Sequence, residues 1–222
     1  MPIVCPVDCD CVEVASLAEL PPPAIVVLGE RHAHKRDLKM ARKAIDELAG
    51  VAPVTVAIEA VHGSKQEAMR QLGAGALRVG QLPAATDWSS TWGHDFAPYK
   101  TVFRSEAEAF VAAGLTLGKP PEGRDVPVPA AYLEKLGPMA THHGMDPEVF
   151  VRSMAWRDLG IAEAAVRGWS GEGYLVILTG RGHVSEGLGV SWQLGQGLTE
   201  RPAHDYLLGA EGCATGDQVL TR

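Results

Sequence analysis

Ala24-Ile25-Val26-Val27-Leu28-Gly29-Glu30-Arg31-His32 is the stretch whose reading decides the fold. A short apolar run, entered through Pro21-Pro22-Pro23 and left at a glycine, predicts a buried β-strand. The same device returns far down the chain, where Tyr174-Leu175-Val176-Ile177-Leu178-Thr179 runs into Gly180-Arg181-Gly182-His183. In an open parallel sheet, ligands bind in the crevice beyond the carboxyl ends of the strands. Glu30, His32 and His183 are therefore expected to meet in one polar site.

Outward from the first run, Leu38, Ala41, Ile45 and Leu48 fall on one helical stripe, with Lys and Arg on the other face and Gly50 as a stop. Residues 54–58 predict a second strand that ends at Glu59, and a short helix is expected over 64–72, with 73–80 irregular. An aromatic loop carrying Trp88, Trp92-Gly93-His94 and Tyr99 leads into a predicted helix striped by Val102, Phe103, Phe110 and Val111. A third strand is expected at 115–117, a Pro- and Gly-rich surface loop over 119–129, and a long helix from Pro147 to about Arg167. The last strong strand is 174–178. The glycines at 187, 189, 195 and 197 predict mostly irregular chain with short strands after it. Strands alternating with helical patterns give the fold class: α/β, a single domain, with a mostly parallel central sheet of about four or more strands flanked by helices.

The bulk properties exclude several functions. A chain of 222 residues fits one domain, and 46% hydrophobic with 21% charged residues is ordinary for a globular protein. A net charge of −7 argues against a nucleic acid partner, which wants a clustered basic face. No apolar stretch approaches the roughly 20 residues that span a bilayer. Residues 1–11 carry neither a basic n-region nor a long apolar core, so a cytoplasmic location is the expectation. Cys5, Cys9 and Cys11 crowd the start of the chain, with Cys213 near the other end. Their spacing matches no zinc pattern, which favours free or redox-active thiols over a soft-metal site.

Several constellations could carry chemistry. Glu30 and His32 at a strand end, with His34 beyond, can share a metal or act as base and orienting partner. Glu59 is costly to bury unless paired, and adjacent parallel strands would set it beside Glu30. Gly180 and Gly182 allow the His183 loop to present an imidazole or backbone N–H groups. A dinucleotide fingerprint fails at Ser185. No phosphate-binding Gly-Lys-Ser/Thr and no Gly-x-Ser-x-Gly elbow is present. Arg157 and Asp158 flank the apolar stripe Phe150, Met154, Ile161 and Ala165, as a structural clasp or, for Arg157, as a bidentate anion ligand. Trp88, Trp92 and Tyr99 read as a core lid or as the lining of a pocket for a flat ligand, with Tyr99 able to serve ferric iron.

Taken in order, these residues resemble the ChaN-like haem-binding uptake domains of the Tiki and erythromycin-esterase superfamily. The likeness runs from about Ser16 to Leu194, with residues 1–15 as a cysteine-containing N-terminal segment and 16–222 as the ChaN-like domain. It rests on Leu28-Gly29-Glu30-Arg31-His32, Ala57-Ile58-Glu59-Ala60, Trp92-Gly93 with Tyr99, Arg157-Asp158 before Ile161-Ala162, and Gly180-Arg181-Gly182-His183 before Gly187 and Gly189. The chain departs from the family at Leu117-Gly118-Lys119-Pro120-Pro121, at Ile161, and in lacking a lipobox ahead of Cys5. The resemblance implies a parallel-sheet fold, haem binding and a link to iron uptake, with Trp92, Tyr99 and Arg157 as cofactor-binding residues. It also implies a rival: a metal-dependent hydrolase in which Glu30, His32, Glu59 and His183 hold a divalent ion such as Mn or Zn, or activate water. The expected partner is a small-molecule or peptide ligand, without nucleic acid or membrane span, and with a homodimer left open.

Overall fold

The computed structural model describes residues 11–115, 120–142, 144–209 and 217–221. The apolar run around Val26 forms a strand, Ala24–Glu30, in which every residue is buried. With Val12–Val14 as β1, this strand is β2; Lys35–Ala49 is α1 and Val54–His62 is β3. There follow α2 (Gln66–Gly73), α3 (Leu82–Ala85), α4 (Trp88–Thr91), a 3-10 helix (Pro98–Arg104) and β4 (Ala109–Gly114). The second half supplies α5 (Ala131–His142), α6 (Pro147–Gly168), β5 (Tyr174–Gly180), α7 (Val190–Gln193), β6 (Ala203–Leu208) and β7 (Gln218–Leu220).

Among the described residues, seven strands form one parallel sheet in the order β1-β7-β6-β2-β5-β3-β4. The central strands are apolar on both sides because the sheet is covered on both faces. Val26 and Leu28 pack with Leu38, Ala41, Ile45 and Leu48 of α1. Ile25 and Val27 pack with Ile161, Ala162 and Ala165 of α6. The other half of the α6 stripe, Phe150 and Met154, packs against Tyr132 and Leu136 of α5. Asp146 caps α6 by accepting from the N–H groups of Glu148 (3.0 Å) and Val149 (3.1 Å), with Pro147 in the first turn. Among the described residues no helix is long and apolar enough to cross a membrane.

The structure corrects several local expectations. Phe110 and Val111 lie on β4, not on a helix; of the strand expected at 115–117, Leu115 lies just beyond β4, and 116 and 117 are outside the described residues. Both faces of β4 are covered, by α2 and α6, so its short apolar run carries no alternation to separate it from a helix. The helix α5 carries no clear stripe and went unread. Glu30 and Glu59 do not sit on adjacent strands, because β5 lies between β2 and β3. Of the cysteines read as free or redox-active thiols, Cys11 is disulfide-bonded rather than free, while Cys5, Cys9 and Cys213 lie outside the described residues.

Candidate functional site

Parallel packing of β2, β3 and β5 brings the ends of all three strands to one edge of the sheet. Glu30 stands opposite Gly180 in the ladder, and Ile58, just before Glu59, stands opposite Leu178. The chain leaves β2 through a tight turn in which Ala33 adopts the left-handed conformation (φ 57°). Its N–H donates to the Tyr99 hydroxyl at 3.2 Å, which ties the turn to the 3-10 helix.

Glu30 is 3% exposed. Its Oε1 accepts from the Tyr99 hydroxyl and lies against His32 Nδ1, both at 2.8 Å. Its Oε2 is buried and has no hydrogen-bond partner among the described residues. A carboxylate can only accept, so the hydrogen of this contact is on His32 Nδ1, and the lone pair of the neutral imidazole would then be on Nε2. The His32 side chain is 35% exposed, and its ring meets those of Trp92 (4.7 Å between centroids) and His94 (5.1 Å). Trp92 and His94 are themselves 5.3 Å apart. Three polarisable rings thus form the accessible rim of the site.

Behind this rim lies a buried ionic network. Glu59 Oε2 accepts from Thr179 Oγ1 and from the Gly180 N–H, both at 2.7 Å. Its Oε1 takes the Arg157 guanidinium at 2.5 Å and faces His183 Nε2 at 3.4 Å. His183 Nδ1 in turn lies 2.5 Å from Asp158 Oδ1, and the Tyr132 hydroxyl donates to the other oxygen of Asp158. Burial works against a charge on His183, but the Glu59 and Asp158 carboxylates on its two nitrogens outweigh it and push its pKa up to about 10. Burial likewise opposes the charge of Glu59. The His183 and Arg157 cations beside it hold its carboxyl well below the ordinary range.

The structure therefore divides the expected site residues into two sets. Glu30 and His32 form a pair backed by Tyr99, whereas Glu59, His183 and Arg157 form a buried ionic cluster in which Arg157 Nε has no hydrogen-bond partner among the described residues. Among the described residues no group of three or more His, Cys, Asp and Glu side chains is arranged to hold a metal ion. The four-ligand Mn or Zn site expected from Glu30, His32, Glu59 and His183 thus finds no support. The physical reason is that Glu59 is already occupied by four donors and His183 is protonated between two acids. Arg157 pairs with Glu59, not with Asp158, which lies on His183. His34 turns away from the site, its Nδ1 2.7 Å from Asp37 Oδ1, and Asp37 also accepts from Arg31. Tyr99, expected as an iron ligand, is 1% exposed. Burial, and then the neighbouring Glu30, raise its pKa far above the ordinary phenol value.

Sequence reasoning missed His94 as a site residue, although it quoted the loop that carries it. Asp158 was read only as half of a clasp, and Thr179 and Tyr132 were not considered. Thr179 had a usable signal, a hydroxyl one residue before the strand end. Tyr132 had none, because α5 itself was not read.

The family model described as haem-binding uptake, Tiki superfamily, ChaN matches residues 16–117. No curated protein matches the sequence. Among solved structures, the fold is similar to that described as cofacial heme binding to ChaN of Campylobacter jejuni. That match has 17% identity and a TM-score of 0.66, covering 84% of this chain and 82% of that one. It is also similar to the structure of the type III effector HopBA1, with 14% identity, a TM-score of 0.50, and coverage of 85% of this chain and 78% of that one. At such identities the likeness is one of fold. This chain is thus similar to the ChaN-like domains of the Tiki superfamily in sequence over residues 16–117, which include Glu30 and Glu59, and in fold over most of its length.

Proposed function

We propose that this protein binds haem at the carboxyl edge of its sheet, with His32 Nε2 facing the iron and Trp92 and His94 against the ring. The observation that carries this reading is the Glu30–His32 pair. Metal-binding histidines characteristically give their other ring N–H to a carboxylate, which fixes the tautomer and raises the basicity of the ligating nitrogen. His32 is arranged in this way, on a partly exposed ring flanked by two others. Haem would supply a redox-active iron and a flat apolar surface, and the flanking rings suit such a surface. The match to the haem-binding uptake family supports the same ligand. Nothing in the geometry favours the hydrolase reading over it.

Titration with ferric hemin tests the assignment. A sharp Soret band is expected for the unaltered protein and for Tyr99→Phe, with its loss in His32→Ala. Glu30→Gln, which leaves the imidazole but removes its carboxylate, is expected to weaken binding roughly 10- to 100-fold. A Soret band unchanged in His32→Ala overturns the proposal.

Gly180 gives a second test without touching a ligand. A Cβ there would stand 2.6 Å from His32 Cε1 and 3.0 Å from Nε2, so the ring has to move. Backbone strain does not enter, since Gly180 has φ −66°. Gly180→Ala is expected to fold and to bind hemin about tenfold more weakly, a loss of about 1.4 kcal/mol.

A further inference from the structure

The sheet ends on one side at β4, and among the described residues no strand pairs with its outer edge. That edge is the floor of a cleft of about 810 Å³ walled by α2 and α6. In place of a strand, one side chain lies along it. Gln66 Nε2 donates to the Phe110 carbonyl at 3.2 Å, and Gln66 Oε1 accepts from the Ala112 N–H at 2.8 Å. Carbonyl i and N–H i+2 are the groups a parallel or antiparallel neighbour would engage. The carboxamide of Gln66 thus takes two of the edge hydrogen bonds that an added strand would make.

We propose that this cleft takes an extended peptide, added antiparallel to β4, whose backbone replaces the Gln66 carboxamide. Addition of a strand to an exposed sheet edge is a common mode of peptide recognition, with affinity drawn from main-chain hydrogen bonds. The occupant is a peptide and not a second copy of this chain, because of the shape of the cleft. Strands pair at about 4.8 Å, and a copy's own β4 is recessed between its own two helices. The direction follows from charge. The helix α6 runs toward the start of β4, since Gly160 meets Leu115 and Gly168 meets Val111. Gly73, at the end of α2, meets the Glu108 carbonyl. Arg167 and Arg70 therefore line the cleft beside the first half of β4, with Glu108 at the start of the strand and Glu67 paired to Arg70. Arg167 is exposed and makes no ion pair among the described residues. An antiparallel strand brings its terminal carboxylate to that guanidinium.

The probe is a fluorescein-labelled hexapeptide, Thr-Val-Thr-Val-Thr-Val with a free carboxylate, followed by fluorescence anisotropy on the full chain. Binding is expected in the unaltered protein. It should tighten about tenfold in Gln66→Ala, where the competing carboxamide with its two hydrogen bonds is gone. Methylation of alternate peptide nitrogens should abolish binding, and amidation of the carboxyl end should weaken it several-fold, as should Arg167→Ala. On peptide addition the amide resonances of Ala112 and Gly114 should shift. Equal binding of the N-methylated peptide to the unaltered protein overturns the proposal, as does the absence of tightening in Gln66→Ala. Self-association of Gln66→Ala in sedimentation would overturn the choice of a peptide in favour of a second copy. Indifference to amidation overturns the direction.

Discussion

Glu59→Gln is expected to lower the melting temperature by roughly 10 °C. The Glu59 carboxylate is 3% exposed and is the counter-ion of two cations, Arg157 at 2.5 Å and His183 at 3.4 Å. Glutamine keeps the size and can still accept from Thr179 and Gly180, so the change is one of charge rather than of packing. It leaves the guanidinium and the imidazolium without their shared anion. Removing one partner from a buried ion pair typically costs about 3–5 kcal/mol, because the remaining charge stays desolvated. For a domain of this size each kcal/mol is about 2–4 °C. Thermal unfolding followed by circular dichroism measures the drop. A shift under about 2 °C would show that the cluster is solvated rather than buried, and the account of the site's foundation would fail.

Stability is expected to decline as pH rises from about 6.5 to about 10. His183 has an ordinary value of 6.5 and is pushed up to about 10 in the folded protein. Above pH 6.5 the unfolded chain releases this proton while the folded one retains it. The contribution is thus complete below 6.5 and disappears as pH passes the folded value. At about 1.4 kcal/mol per unit, such a shift corresponds to on the order of 5 kcal/mol. Glu59 and Asp37, both held below the ordinary carboxylate range, act on the opposite side and withdraw their stabilisation only in acid. Tyr99 and Tyr132, with hydroxyls held above the ordinary phenol value, act only beyond pH 10. In the window between, His183 is opposed only toward the alkaline end by Lys135, whose ammonium burial holds below the ordinary lysine value. Urea-unfolding midpoints at pH 6.5, 8 and 10 measure the decline, and a flat profile would mean that the imidazole is neutral in the fold.

The parallel sheet was legible because its central strands are short apolar runs bounded by Pro and Gly, with amphipathic helices between them. The Glu30, Glu59 and His183 positions were legible for the same reason, since strand ends are where a parallel sheet gathers its polar groups. The order of the strands was not. Apolar patterning reports that a strand is buried on both faces but not which neighbours flank it, so Glu59 was set beside Glu30 although Thr179 and Gly180 stand between. β4 was mistaken because Phe110 and Val111 fit a helical stripe begun by Val102 and Phe103, and a six-residue strand with two covered faces offers no period to contradict it. The division of the site was hidden as well. That His183 would be locked between two acids, with His32 left with an open nitrogen, depends on Asp158 reaching across from α6. No spacing within either segment announces that contact.

The insertion of β5 between β2 and β3 bears on how the molecule comes into being. The region that carries the family match, residues 16–117, encodes β2, β3 and β4 but not the strand that joins the first to the second. On a ribosome, β2 and β3 have no native partner on the flanks that face β5 until Tyr174–Gly180 has emerged. The long-range closure this demands is slow compared with helix formation. The same late segment seats the Gly180 N–H on Glu59 and delivers His183, so assembly of the sheet and assembly of its charged centre are one event.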